Sequence, residues 1–185
     1  LRENAAYEAR INEAEEALSR RGFPRTAIFR QPVVWGEHDQ YQHVNNAHYI
    51  RWFESARMRW MERMSRTLSP EIASNLVRGR GVGIILASTY CRYRRPVTYP
   101  DTVVIGQAAL PMKFADRVTV RSQAYSVAQS AIVAEADFEC VAYDYDRLCK
   151  ASLPPEVADA LRAWTYTGED KEPYCQKTSR RKTVS

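Results

Sequence analysis

Glu37, His38, Asp39, His43, Asn45, Asn46 and His48 fall within twelve consecutive positions, and all three histidines of the 185-residue chain are among them. Carboxylates take up protons or attack electrophilic carbon, imidazoles move protons near neutral pH, and carboxamides hold a polar group in place. The run directly precedes a segment of helical periodicity, so this chemistry sits at a helix start. Backbone N–H groups there lack intrahelical partners and carry partial positive charge, which can polarise a carbonyl or hold an anion. Asp39 and Asn45 also suit a turn and a helix cap. Capping needs only one such residue, however, and leaves His43 and the second Asn unexplained. Histidines five residues apart share no face of a helix or strand, so no metal site is expected.

The elements that must position these residues are legible in the periodicity. Residues 2–21 read as a helix stopped by Gly22 and Pro24, with a thin apolar stripe that adds little core. Thr26–Trp35 reads as a strand, at an edge or bulged because of Pro32. Tyr49, Ile50, Phe53, Ala56, Trp60, Met61 and Met64 recur at three- and four-residue steps, predicting a long helix over Asn45–Met64 against a sheet. Ser69-Pro70-Glu71 opens a short helix. Gly83–Arg94, Thr102–Leu110, Arg117–Val127 and Ile132–Tyr143 then alternate as four strands, with a short fifth over Arg147–Ala151. In Ile132–Tyr143 the alternation predicts a packed face of Ala134, Ala136, Phe138, Cys140 and Ala142. Its opposite, wet face carries Glu135, Asp137 and Glu139. Pro154-Pro155-Glu156 opens a terminal helix to about Trp164. The expected class is α+β, a long helix wrapped by an antiparallel sheet of five to six strands.

Composition bounds the function. Forty-five per cent hydrophobic and 26% charged residues fit one globular domain. The longest charge-free stretch, Ser122–Ala134, is short of the about 18–20 apolar residues of a membrane span. Cys91, Cys140, Cys149 and Cys175 form no C-x-x-C pair and read as thiols of a reducing compartment. Seven glycines without a G-x-G-x-x-G run disfavour a nucleotide fold. The net charge of +5 is concentrated in a tail, residues 171–185, which fits a solvated end or an arm touching RNA, anionic lipid or an acidic partner. The chain begins at Leu1 with no signal-peptide core visible, so an intracellular location, mitochondrial or else cytoplasmic, is expected.

Trp35-Gly36-Glu37-His38-Asp39, Gln42-His43-Val44-Asn45-Asn46-Ala47-His48-Tyr49 and Trp52-Phe53-Glu54-Ser55-Ala56-Arg57 together resemble the signature of hotdog-fold thioesterases. Two branches share the resemblance, the 4-hydroxybenzoyl-CoA thioesterase-like acyl-CoA hydrolases and the acyl-ACP thioesterases. Tyr93-Arg94-Arg95-Pro96-Val97 and Tyr99-Pro100-Asp101 match the second strand and its turn. The resemblance covers about Thr26 to Pro155. It implies a hotdog domain over 25–153, with a helical extension over 1–24 and a helix and basic tail over 154–185.

By this resemblance Asp39 is the nucleophile or the general base on water. Backbone N–H groups around Asn46 bind the thioester oxygen as it gains charge, and His43 assists water activation. Asn45 braces the turn or touches substrate, and Tyr49 lines the site. A thiolate leaves readily, so one carboxylate and an oxyanion site suffice, with no cofactor beyond the coenzyme A of the substrate. Arg94 and Arg95, with Arg92 and Arg121, are candidates for its phosphates. Glu37, His38 and Tyr41 depart from the common pattern, and Tyr41 favours the acyl-CoA over the acyl-ACP branch. Glu54 suits an ion pair with Arg57 or Arg51. The family implies a homodimer or dimer of dimers. Two other readings compete. One is a non-catalytic hotdog subunit of a large, RNA-containing assembly, contacted through the tail. The other is a hotdog hydratase, which lacks here the Gly-Asp-x-Asn-Pro frame of that group.

Overall fold

The computed structural model describes residues 2–170, 173 and 174. Its elements are α1 (Arg2–Arg20), β1 (Ile28–Pro32), α2 (Asn46–Ser65), α3 (Pro70–Arg78), β2 (Val82–Tyr93), β3 (Thr102–Ala109), β4 (Arg117–Ser126), β5 (Ala131–Asp144), β6 (Cys149–Lys150) and α4 (Pro155–Ala163). The strands form one antiparallel sheet in the order β1-β3-β4-β5-β2, with β6 paired to the end of β5. No helix among the described residues is long and apolar enough to cross a membrane.

The sheet curls around α2, as the helical periodicity predicts. Tyr49, Trp52, Phe53, Ala56, Trp60 and Met64 are buried on one stripe of that helix. They meet Ile105, Ala109, Val120, Ala124, Ala134, Ala136 and Phe138 from the sheet's inner face. Small residues at 124, 134 and 136 let the helix lie close, and the Phe53 ring packs edge-on to Phe138 at 5.8 Å. This is the hotdog arrangement.

Four details differ from the sequence reading. The first strand is shorter than Thr26–Trp35, because 3-10 turns occupy Arg25–Ala27 and Trp35–Glu37 on either side of it. The last strand shrinks to Cys149–Lys150, since Asp144 Oδ1 accepts the N–H groups of Asp146 and Arg147 and Leu148 takes a left-handed conformation. The N-terminal helix contributes more than its thin stripe predicts. Ile11, Ala14 and Leu18 join Phe23, Val104, Ala108, Leu110, Val127 and Tyr166 in a second core on the outer face. Gly106 permits this approach, as a Cβ there would sit 2.7 Å from the Phe23 ring. Finally, the face of β5 expected to be wet is covered at Glu135 and Asp137, while Glu139 stays partly exposed as expected. Glu135 and Asp137 are only 6% and 4% exposed, because the chain after α4 roofs them, Tyr174 meeting Asp137 directly and Glu135 through Gln123. Residues 164–166 join the roof through hydrogen bonds of Ala109 with Trp164 and Tyr166.

Candidate functional site

The acidic run folds into a tight loop between β1 and α2. The Asp39 N–H donates to the His43 carbonyl, the Asn45 N–H donates to the Glu37 carbonyl, and the Val44 N–H donates to Val97, each at 2.9 Å. Gln42 closes the loop with φ of +62°, a conformation that costs a non-glycine residue about 1–2 kcal/mol. Such a cost persists where surrounding hydrogen bonds over-determine the backbone.

Glu37 ties this loop to the helix. Its Oε2 accepts the Val34 N–H at 2.8 Å and its Oε1 accepts the Trp52 indole N–H at 2.9 Å. His48 Nδ1 stands 3.7 Å from the same carboxylate. His38 binds the other side, where its Nε2 accepts the Tyr99 N–H at 2.9 Å. Two of the three positions that depart from the family pattern are therefore brackets of the loop. The third, Tyr41, is exposed.

Asp39 Oδ1 accepts the Tyr41 N–H at 2.8 Å, and Oδ2 has no partner among the described residues. Asn45 caps α2, its side-chain oxygen accepting the Ala47 N–H at 2.9 Å. The His48 N–H is taken by the Asn45 carbonyl. That leaves the Asn46 N–H, first in the helix, without an acceptor among the described residues.

One open pocket is lined by Asp39, His43, Asn45, Asn46, Tyr49, Arg94 and Arg95, so all seven residues singled out from sequence come together. Their engagements differ. Asn45 is committed to its cap. Tyr49 is buried, and burial pushes its phenol up to about 12, partly offset by a hydrogen bond with the Val97 backbone. Arg94 is held by Glu135, whereas Arg95 is exposed and pairs with no carboxylate among the described residues. Arg92, also exposed, lies outside the pocket. Arg121 is corrected: it is fully buried on the outer face, bound to Asp137, and cannot meet a ligand at this pocket. Glu54 is exposed, 4.0 Å from Arg57, as the ion-pair reading expects.

Tyr93 is a wall residue that sequence reasoning missed. Its hydroxyl donates to the Asn46 carbonyl at 3.1 Å, and its ring lies 5.3 Å from that of Tyr49. Burial raises its phenol to about 12, helped by Cys91. The signal was its parity in β2: Tyr93 pairs with Ala134, an inner-face residue. Chemically, the pocket offers a carboxylate with one open oxygen, a helix-start N–H, an imidazole and a cation around a wall of aromatic rings.

A family model described as the thioesterase-like superfamily matches residues 33–161. Among solved structures, a Pseudomonas aeruginosa protein is similar with a TM-score of 0.67 and 21% identity, over 81% of this chain and 97% of that one. A 1,4-dihydroxy-2-naphthoyl-CoA thioesterase from Synechocystis is similar with a TM-score of 0.62 and 16% identity, over 73% of this chain and 94% of its own. These likenesses show the shared fold. In sequence, a protein of Aquifex aeolicus provisionally named an esterase is 24% identical over 135 residues, 73% of this chain and 97% of its own. The match runs from just after β1 into α4 and includes every residue of the pocket, so the chain belongs to the thioesterase-like superfamily, on a hotdog fold.

Proposed function

We propose that this protein hydrolyses fatty or aryl acyl-CoA thioesters. The observation that carries the reading is the Asp39 carboxylate, braced through Oδ1 and open at Oδ2, in one pocket with the first residue of α2. Asp39 attacks the thioester carbon or draws a proton from water that does so. The Asn46 N–H receives the oxygen as it becomes an anion, aided by the partial positive charge of the helix start. The carbonyl then re-forms and the thiolate leaves with the bonding pair, needing little acid assistance; where Asp39 itself attacks, water hydrolyses the resulting anhydride and frees the carboxylate. His43, exposed at the rim, is placed to exchange protons with solvent. Arg95 offers a cation to the phosphates of the carrier, which favours CoA. The aromatic pair Tyr49 and Tyr93 suits an aryl acyl group, the class named for the Synechocystis neighbour.

A homodimer is part of this reading. β2 is a twelve-residue edge strand with Ile85 and Leu86 exposed, and a long apolar edge of this kind suits pairing with a second copy. The basic stretch on which an RNA-bound assembly was considered, Lys177–Lys182, lies outside the described residues.

The test is a panel of alkyl and aryl acyl-CoAs with wild type and Asp39→Asn. The variant keeps an oxygen for the Tyr41 N–H, so it should fold normally while kcat falls about a thousandfold. Wild-type inactivity on every thioester, or full activity of the variant, removes the reading.

A further inference from the structure

The outer face of the sheet carries a row of buried polar side chains that the proposed chemistry does not use. Arg121 and Gln123 on β4 stand directly opposite Asp137 and Glu135 on β5, and all four are buried. Arg121 grips Asp137 with two hydrogen bonds of 3.0 Å. The chain after α4 closes over this row as a strap. Arg121 donates to the Asp170 carbonyl, the Tyr174 N–H donates to Asp137 at 2.6 Å, and the Tyr174 ring lies 3.9 Å from the Arg121 guanidinium.

The row continues towards the candidate site. Gln123 Nε2 donates to the Tyr174 hydroxyl at 2.9 Å and reaches Glu135 Oε1 at 3.4 Å. Glu135 Oε2 accepts Arg94 Nε at 2.7 Å and also pairs with its Nη2. A buried carboxylate requires a cation, and Glu135 finds it in Arg94. In return Arg94 loses its rotamer freedom, while its Nη1 has no partner among the described residues. A cation whose side chain is already fixed gives up less entropy on meeting an anion than a free one does.

We infer that Glu135 is a positioning residue, backed through Gln123 by Tyr174 of the strap, which presents Arg94 to the phosphates of a CoA thioester. This rests on the CoA reading above and adds to it the side chains that hold the cation. Arg94, Gln123 and Glu135 lie within the family match over residues 33–161, and Tyr174, which backs them, lies beyond it.

The experiment titrates wild type, Glu135→Gln, Glu135→Asp and Tyr174→Phe with CoA and with phosphate-free pantetheine by calorimetry. Steady-state kinetics on one acyl group carried by each completes it. Glu135→Gln should weaken CoA about three- to tenfold and raise KM for the CoA thioester alike, leaving kcat and the pantetheine values within about twofold. Glu135→Asp should restore part of the loss, and Tyr174→Phe should show a smaller loss of the same kind. Unchanged CoA affinity in Glu135→Gln, or an equal loss for pantetheine, overturns the inference. If that variant does not fold, unchanged affinity in both Glu135→Asp and Tyr174→Phe overturns it. Wild type that binds CoA but cleaves no thioester defeats the hydrolase reading while the binding data still judge Glu135. Wild type that does not bind CoA defeats the inference itself.

Discussion

Glu37 does more for the site than its separation from the reacting centre suggests. Its carboxylate takes one N–H from the chain entering the loop and one from Trp52, a full turn and a half into α2. Without it, both donors lose a charged acceptor in a largely buried place, each worth about 1.5–3 kcal/mol when removed. Glu37→Ala should therefore lower stability by about 2–3 kcal/mol in urea unfolding, less than the sum because the loop relaxes. It should also lower activity, since Asp39 loses its fixed placement. A variant as stable as wild type would show that the two hydrogen bonds contribute nothing net. At this scale the acid of the pocket and the acid of the bracket are distinguished by partners: Asp39 keeps an open oxygen, and Glu37 keeps none.

Among elements, α2 carries the decisive end. Asn45 caps it by accepting the Ala47 N–H, which leaves the Asn46 amide as the candidate oxyanion donor. Asn45→Ala should cost about 1 kcal/mol, and Asn45→Asp should keep the cap, because either side chain offers the accepting oxygen. Chemical denaturation of the three proteins checks this; equal stability of all three would mean that the first turn needs no side-chain partner. The edge strand β2 has a comparable dual position. Its inner face supplies Tyr93 to the pocket, the residues just past its end are Arg94 and Arg95, and its other edge is unpaired among the described strands.

The whole molecule is a sheet with a core on each face. α2 fills the inner one, and α1 with Phe23 and Tyr166 fills the outer one. Leu18 is fully buried there, so Leu18→Ala should destabilise by about 2–4 kcal/mol, through lost burial and the cavity left behind. A loss under about 0.5 kcal/mol, the size of an exposed-site change, would show that α1 docks only weakly. Burial also sets the response to alkali. Tyr49, Tyr93 and Tyr174 are raised from 10.0 to about 12, and Cys140 from 9.0 to about 11. Above those unperturbed values the unfolded chain releases protons that the fold retains. Stability from these groups is thus full below pH 9 and is lost progressively as pH climbs towards about 12. Urea midpoints at about pH 8 and about pH 11 should fall in that order, with tyrosinate absorbance appearing together with unfolding. A flat profile would mean that the phenols ionise within the intact fold.

Local rules were enough to read most of this protein from its residues. The 3.6-residue stripe of Tyr49 to Met64 and the alternation of four strands declared α2 and the sheet, because periodicity depends only on near neighbours, while the family resemblance around the H-V-N-N run singled out seven of the residues that line the pocket. Tertiary structure alone decided what each polar side chain faces. Alternation showed that Glu135 and Asp137 leave the inner core, but not that a strap from over thirty residues downstream roofs them. The same distant contacts removed Arg121 from the cation candidates, engaged Arg94 and left Arg95 open. Partners of a charged group come from chain segments far apart in sequence, so no local pattern encodes them, whereas hydrophobic periodicity is written into every turn.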